Sequence, residues 1–355
     1  MPRRQSQTSD RLVRGQASAG VMAIVRRPAV QAGAIALLAL VVYLPVLNAG
    51  FVWDDDDYVT GNETVRDPDG LLRIWTDRRA NTQYYPLVYS SFWLEHRLHG
   101  LRPMGYHLTN VVLHAGVACL LLVLLRRLSV PGAFVAAAAF AVHPLCVQSV
   151  AWVTERKNVL MGVLYLGALL AYCRFCGIGR AAQGRRDWRF YALSAGLFVL
   201  ALLSKTVACS MPAVMAVLLW WKRPKLRWAD VWPLLPLLVV GGLMAAVTKS
   251  IEDNFFQQSS QGPLAWLAER TLIAGRALWT YAARVVWPVK LTMFYPSWHI
   301  DPTAWWQWLL PVTAAGAIAA LWLLRGRLGR GPIAAVAIFT GHLFPALGYF
   351  NVYFQ

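Results

Sequence analysis

Five stretches of this chain, 28–53, 103–125, 128–154, 231–248 and 302–324, carry no formal charge. A run of about 20 apolar residues makes all its backbone hydrogen bonds internally as a helix and crosses the hydrocarbon core of a bilayer. These runs confine the chain to one class, an all-α polytopic membrane protein. Shorter apolar runs at 158–173, 190–204 and 206–221 are marginal alone and plausible inside a bundle. Composition agrees. Hydrophobic residues make up 57% and charged residues only 14% of the 355, against about 25% charged in a soluble domain.

The net charge of +17 would suggest nucleic acid in a soluble protein. Here the cations sit at alternate ends of the apolar runs, as the positive-inside rule requires, and no basic, aromatic-interleaved face forms. With the N-terminus in the cytoplasm, 20 of the 34 basic residues and three of the 17 acidic ones fall on the cytoplasmic side. That topology predicts about nine spans. A basic tail occupies 1–28, a seven-span module 29–249 with an external loop at 54–102, an external segment 250–304, and the last spans 305–355. In the third part, LAWLAERTLIAGRALWTYAARVVW has helical periodicity, with Glu269, Arg270, Arg276 and Arg284 on one face. It reads as an amphipathic helix at the membrane surface. NVYFQ ends the chain directly after a helix, the pattern of a fragment of a longer protein. Cys173 and Cys176 form a C-x-x-C with no second pair and no histidine partner, which reads as two membrane-edge cysteines.

The four aspartates 54–57 follow the first span directly and face the exterior in this topology. They could be a solvated cap or a cation-binding turn. Adjacent carboxylates also repel one another, which raises proton affinity and suits a general base. A second constellation is HPLCVQSVAWVTERKN, 143–158. His143-Pro144 breaks a span, and Glu155, Arg156 and Lys157 open the next. Paired cations at a membrane surface either snorkel or hold a phosphate. Lys205, isolated in LLSKTVACSMP, has the same two readings. The loop segment QYYPLVYSSFWLEHRLHGLRPMGYHLTNVVLH is rich in Tyr, Trp and His. Most of these read as interfacial anchors, and His96 and His99 lack a third metal ligand.

Together, W-D-D, Y-Y-P-L, G-Y-H-L-T-N-V-V-L-H, H-P-x-x-V-x-S-V-A-W-V-x-E-R-K-N, S-K and F-P-A-L-G-x-F-N-V-Y resemble the bacterial relatives of the TMTC-type protein O-mannosyltransferases. These are GT-C superfamily membrane glycosyltransferases. The resemblance implies a GT-C-like helix bundle and a sugar (mannose in the family) moved from a polyprenyl-phosphate donor to a protein or glycan hydroxyl, with inversion. The site would lie on the periplasmic face of a bacterial inner membrane. By register, Asp54 and Asp55 match the family's acidic pair, and this reading makes them catalytic or the ligands of a divalent cation (Mg or Mn). Arg156, Lys157, Lys205 and Arg276 are the expected phosphate ligands, with His143, Glu155, Tyr85 and His107 in support. The family's H-P-x-x-V-E departs here to Gln148. That departure favours the competing reading, a non-catalytic membrane scaffold. A secondary transporter is disfavoured because no acid sits at mid-membrane.

Overall fold

The computed structural model describes residues 27–179, 186–252, 263–292, 295 and 298–347. The basic N-terminal tail, Arg180, Arg185 and the NVYFQ end fall outside the described residues. Every described element is helical. We number the principal helices α1 Pro28–Val42, α2 Gly70–Thr76, α3 Pro86–His99, α4 Pro103–Arg127, α5 Ala133–Ala141, α6 Val147–Ala151, α7 Arg156–Phe175, α8 Trp188–Leu202, α9 Met211–Lys222, α10 Leu234–Glu252, α11 Pro263–Val286, α12 Leu309–Leu323 and α13 Gly331–Leu343.

Four helical stretches are long and apolar enough to cross a membrane: Pro103–Arg127, Val153–Phe175, Trp228–Thr248 and Trp305–Leu323. A fifth forms if Ala133–Ala141 and Pro144–Ala151, bent by 48°, count as one broken span. The break falls at His143-Pro144, where the missing N–H of proline ends the ladder. The expected number of nine is reached only by adding four shorter apolar helices, Pro28–Val42, Trp188–Leu202, Thr206–Lys222 and Gly331–Leu343. At about 1.5 Å per residue a 15-residue helix measures about 22 Å, less than the hydrocarbon core of about 30 Å. The first is extended by a 3-10 turn, Leu44–Asn48 after α1, and Thr206–Lys222 already includes one, Thr206–Ser210 before α9.

α4 lies at the centre of one half, against α1, α5 and α7. Its contacts with α1 and α5 use small side chains, with Ala39, Ala115, Ala118, Ala133, Ala137 and Ala141 all buried. Small residues let helix backbones approach where lipid offers no hydrophobic drive. α7 carries the packing onward to α8 and α9, and these meet α10. The core there is bulkier, built on Tyr172, Phe175, Phe198, Leu202, Met211 and Met215. Large apolar residues point outward instead: Leu37 is 62% exposed and Val135 69%, the inverse of a water-soluble bundle.

The predicted amphipathic helix forms as α11 and packs along α12. Contact is backbone-close, since a Cβ on Gly275 would sit 2.5 Å from the Pro311 nitrogen. Trp279 Nε1 donates to the Leu310 carbonyl at 3.1 Å across the same seam. Gly275→Ala should therefore destabilise the chain by about 1–3 kcal/mol through overpacking, while Gly316→Ala, which meets nothing within 4 Å, should be neutral. Thermal unfolding of both variants in detergent checks this.

Candidate functional site

Burial organises this region. The loop between the first two spans has a small aromatic core of its own, with Tyr58, Tyr85, Tyr89, Phe92 and Tyr106 buried around Val59, Val65, Ile74 and Val153. The tyrosines expected as interfacial anchors are therefore packing residues. Tyr58 stacks on Tyr89 with ring centroids 5.3 Å apart, and its hydroxyl donates to Gln83 Oε1 at 2.6 Å. This core seats the loop on the start of α7.

Asp54 and Asp55 have different surroundings. Asp55 has no exposed surface. Its Oδ1 accepts from the Thr154 N–H at 2.8 Å and the Thr154 hydroxyl at 2.6 Å, and its Oδ2 accepts from the Val52 N–H at 2.8 Å. Asp55 thus ties the end of the first span to the start of α7. Asp54 is only partly covered. Partial burial pushes its carboxyl above the ordinary carboxylate range, Lys157 pulls it back, and the charges of Asp57, Asp55 and Glu155 raise it again. The preceding Trp53 holds φ 49°, a strained conformation for a bulky side chain of the kind found at functional sites. Asp56 is exposed and accepts from the Thr60 hydroxyl at 2.6 Å.

With Asp55 saturated by N–H and O–H donors, the pair does not present two free carboxylates to a divalent cation, and we derive no metal step from it. Among the described residues no group of three or more His, Cys, Asp or Glu could hold a metal ion.

Arg156 also differs from expectation. Its side chain has no exposed surface. Nε donates to Asn110 Oδ1 at 2.9 Å, one terminal nitrogen reaches Ser91 Oγ at 3.2 Å and Glu95 Oε2, and the other reaches the Tyr106 carbonyl at 2.8 Å. Its guanidinium lies over Phe92, 4.5 Å from the ring centroid. A guanidinium so enclosed is a joint between α3, α4 and α7, and it offers no face to a phosphate. Asn110 completes the joint by donating to the Trp152 carbonyl at 3.1 Å. Tyr106, His107, Asn110 and His114 recur on one face of α4, as helical spacing dictates, and all four are buried. His114 Nε2 meets the Ala141 carbonyl at 3.0 Å, where the broken span leaves it unpaired. The His107 ring lies against the backbone of Gly50, Ala49 and Ala151.

The cation that acts on Asp54 is Lys157, and Lys205 is joined to Lys157 through Asn158 and Glu155. Lys157 Nζ is 3.1 Å from Glu155 Oε1 and 5.4 Å from the Tyr58 ring centroid. Lys205 Nζ donates to Asn158 Oδ1 at 2.6 Å, and Asn158 Nδ2 in turn donates to Ser149 Oγ at 3.0 Å and to Glu155 Oε2. One polar chain therefore runs from the break between α8 and α9, through the start of α7, to the loop bearing Asp54. Sequence reasoning passed over Glu95, Asn110 and Asn158. For Asn110 and Asn158 the signal was polar character within apolar runs, while Glu95, set among His96, Arg97 and His99, carried none. His143 Nε2 meets the Val285 carbonyl at 3.0 Å, so it links the broken span to the end of α11. Arg276 lies over Trp298, 4.9 Å from its centroid, and is in none of the ion pairs of the described residues. Gln148 is exposed on α6.

Protein O-mannosyl-transferase Tmtc1 of Drosophila melanogaster is 38% identical to this chain over 183 residues, covering 48% of the chain and 20% of that protein. Protein O-mannosyl-transferase TMTC2 of Homo sapiens is 32% identical over 171 residues, 45% of the chain and 20% of its own length. Protein O-mannosyl-transferase F38B6.6 of Caenorhabditis elegans is 30% identical over 151 residues, 39% and 22% respectively. This chain is similar to TMTC-type transferases. It spans about a fifth of the length of these TMTC relatives. No family model and no solved structure matches it.

Removing one partner of a buried ion pair typically costs about 3–5 kcal/mol. Arg156→Ala should lose stability on that scale, seen as an early thermal transition, while an exposed control such as Arg73→Ala should shift little. A variant that unfolds like the parent would remove Arg156 from the framework.

Proposed function

We propose that the chain is the membrane module of a glycosyltransferase that moves a sugar, mannose by analogy with its relatives' names, from a polyprenyl-phosphate donor to a hydroxyl of a protein acceptor. The observation that carries the reading is one partly covered, proton-avid carboxylate, Asp54, within the field of Lys157, which a polar chain joins to Lys205. A sugar phosphate brings its own leaving group. Transfer then needs a base for the acceptor, positive charge for the departing phosphate, and an apolar path for the lipid.

In this reading Asp54 takes the acceptor proton as the acceptor oxygen bonds to the anomeric carbon. The carbon–oxygen bond to phosphate breaks at the same carbon, and inversion follows from the single displacement. Lys157 and Lys205 receive the phosphate charge, and Glu155 and Asn158 hold the two lysines in place. Asp55 and Arg156 build the floor and touch neither substrate. His143 positions α11 from the side, and Arg276 on that helix would approach the donor headgroup. Tyr85 and His107 belong to the packing beneath. The site faces the exterior of a bacterial plasma membrane, in the orientation that the charge bias sets.

Asp54→Asn should abolish release of free polyprenyl phosphate from polyprenyl-phosphate mannose while the protein still folds, and a fully active variant would end the base assignment. The pH profile gives an independent reading. A base must be ionised, so activity is lost as pH falls through the raised Asp54 pKa. The acid limb should therefore lie above pH 3.8, the ordinary carboxylate value. Lys157 is the group that lowers that pKa, so Lys157→Met should move the limb to higher pH. A limb that stays put would count against their coupling.

Gln148, where the family pattern carries Glu, supports a second reading, a scaffold without chemistry. Purified protein that releases no polyprenyl phosphate from any donor tested, yet binds the acceptor, would favour it.

A further inference from the structure

The opposite end of the bundle holds a second polar site. α4 runs from Asn110, beside Arg156, to Arg127 at its far end, about 26 Å at 1.5 Å per residue. There a cavity of about 250 Å³ opens between the ends of α4, α7 and α9, lined by Arg127, Ser129, Gly177, Gly179, Lys222 and Arg223 among others. It is smaller than a drug-sized pocket and suits a headgroup better than a whole ligand.

The charge there is not neutralised. Two acids are described at this end. Asp187 accepts from the Arg189 N–H at 3.0 Å, and Asp230 is buried between Arg186 and Arg223. Arg127 and Lys222 belong to none of the ion pairs of the described residues. Both are fixed by backbone instead. Arg127 Nε donates to the Ile178 carbonyl at 2.9 Å, and Lys222 Nζ donates to the Leu128 carbonyl. These carbonyls belong to helix ends, whose partial negative charge absorbs some of the cationic field. A guanidinium has five N–H donors and an ammonium three, so Arg127 keeps most of its donors for a ligand, while Lys222, which also lies 3.7 Å from the Trp221 ring centroid, contributes chiefly its charge. Arg223 points one terminal nitrogen at the Cys176 carbonyl and the other at Asp230. The Ser129 hydroxyl makes no hydrogen bond among the described residues, and Ser129 is exposed at φ 52°.

We propose that this cavity binds the phosphate group of an anionic membrane lipid from the leaflet opposite the transfer site. Two uncompensated cations at the water-facing ends of lipid-facing helices match that chemistry, as in basic pockets between spans that hold acidic headgroups. The proposal does not depend on the transferase reading.

The test uses the full chain in detergent, titrated separately with dihexanoyl phosphatidylglycerol, dihexanoyl phosphatidylcholine and inorganic phosphate, read by native mass spectrometry and thermal unfolding. Phosphatidylglycerol should bind saturably and raise the unfolding temperature. Phosphatidylcholine should do neither. Arg127→Gln with Lys222→Gln should weaken the phosphatidylglycerol complex about tenfold or more, one charge-assisted contact being worth at least that. Ser129→Asp, at an exposed position where Asp tolerates the backbone, should weaken it similarly without disturbing packing. Arg327→Gln, an exposed charge on the same side, should leave it unchanged. Equal binding of the two lipids, or wild-type affinity in Ser129→Asp, would overturn the proposal. Inorganic phosphate binding as tightly as the lipid would overturn the lipid assignment and leave the cavity to the free ion.

Discussion

The half of this protein that carries the W-D-D and E-R-K motifs depends on the enclosure of Arg156. A guanidinium with no exposed surface is tolerable only when its charge and its N–H groups are matched. Glu95 supplies the charge, and Asn110, Ser91 and the Tyr106 carbonyl take further donors. Those partners come from α3 and α4, so satisfying one side chain fixes the loop helix and two membrane helices relative to each other. Asp55 repeats the device on a smaller scale, pinning the chain after α1 to Thr154. Two buried charges thus define the position of the start of α7, and with it the positions of Lys157 and Asn158.

This division of labour follows from chain geometry. At the start of a helix, successive residues point about 100° apart. In E-R-K-N the arginine turns inward to the aromatic core while Glu155, Lys157 and Asn158 point to the rim, where they bond to one another and to Lys205. In W-D-D the strained Trp53 turn sets Asp55 inward and leaves Asp54 at the edge. In each motif one charged residue builds the floor and its neighbour faces the opening.

Much of this was legible in the sequence at the level of segments. Charge-free runs placed the helices, the His143-Pro144 step marked the broken span, and the periodicity of 264–287 outlined α11. The neighbourhood of W-D-D and E-R-K also followed from their common position beside span ends. What the sequence did not separate was adjacent residues of like charge. Arg156 and Lys157 are both cations at a helix start, and only the three-dimensional position of Glu95, 61 residues away, decides which is enclosed. The same holds for the loop tyrosines, which look like interfacial anchors until α2, α3 and α4 close around them. The span count stays open between four or five and nine for a related reason: helices such as α8 and α13 are too short to be judged by length alone.

The polar chain from Lys205 to Lys157, whose charge acts on Asp54, also bears on how the proposed site would respond to a ligand. Glu155 bonds both Lys157 and Asn158, and Asn158 bonds Lys205. An incoming phosphate would compete with Glu155 and Asn158 for the two ammonium groups. As Lys157 turned toward the phosphate it would leave Glu155, whose unpaired charge would then act more strongly on Asp54 and raise its proton affinity further. If Asp54 is the base proposed above, donor binding would in this way strengthen it with no movement of the helices, because Asp55 and Arg156 hold the floor still. The buried pairs therefore do more than stabilise the fold. They confine the response of the site to a rearrangement of rim side chains.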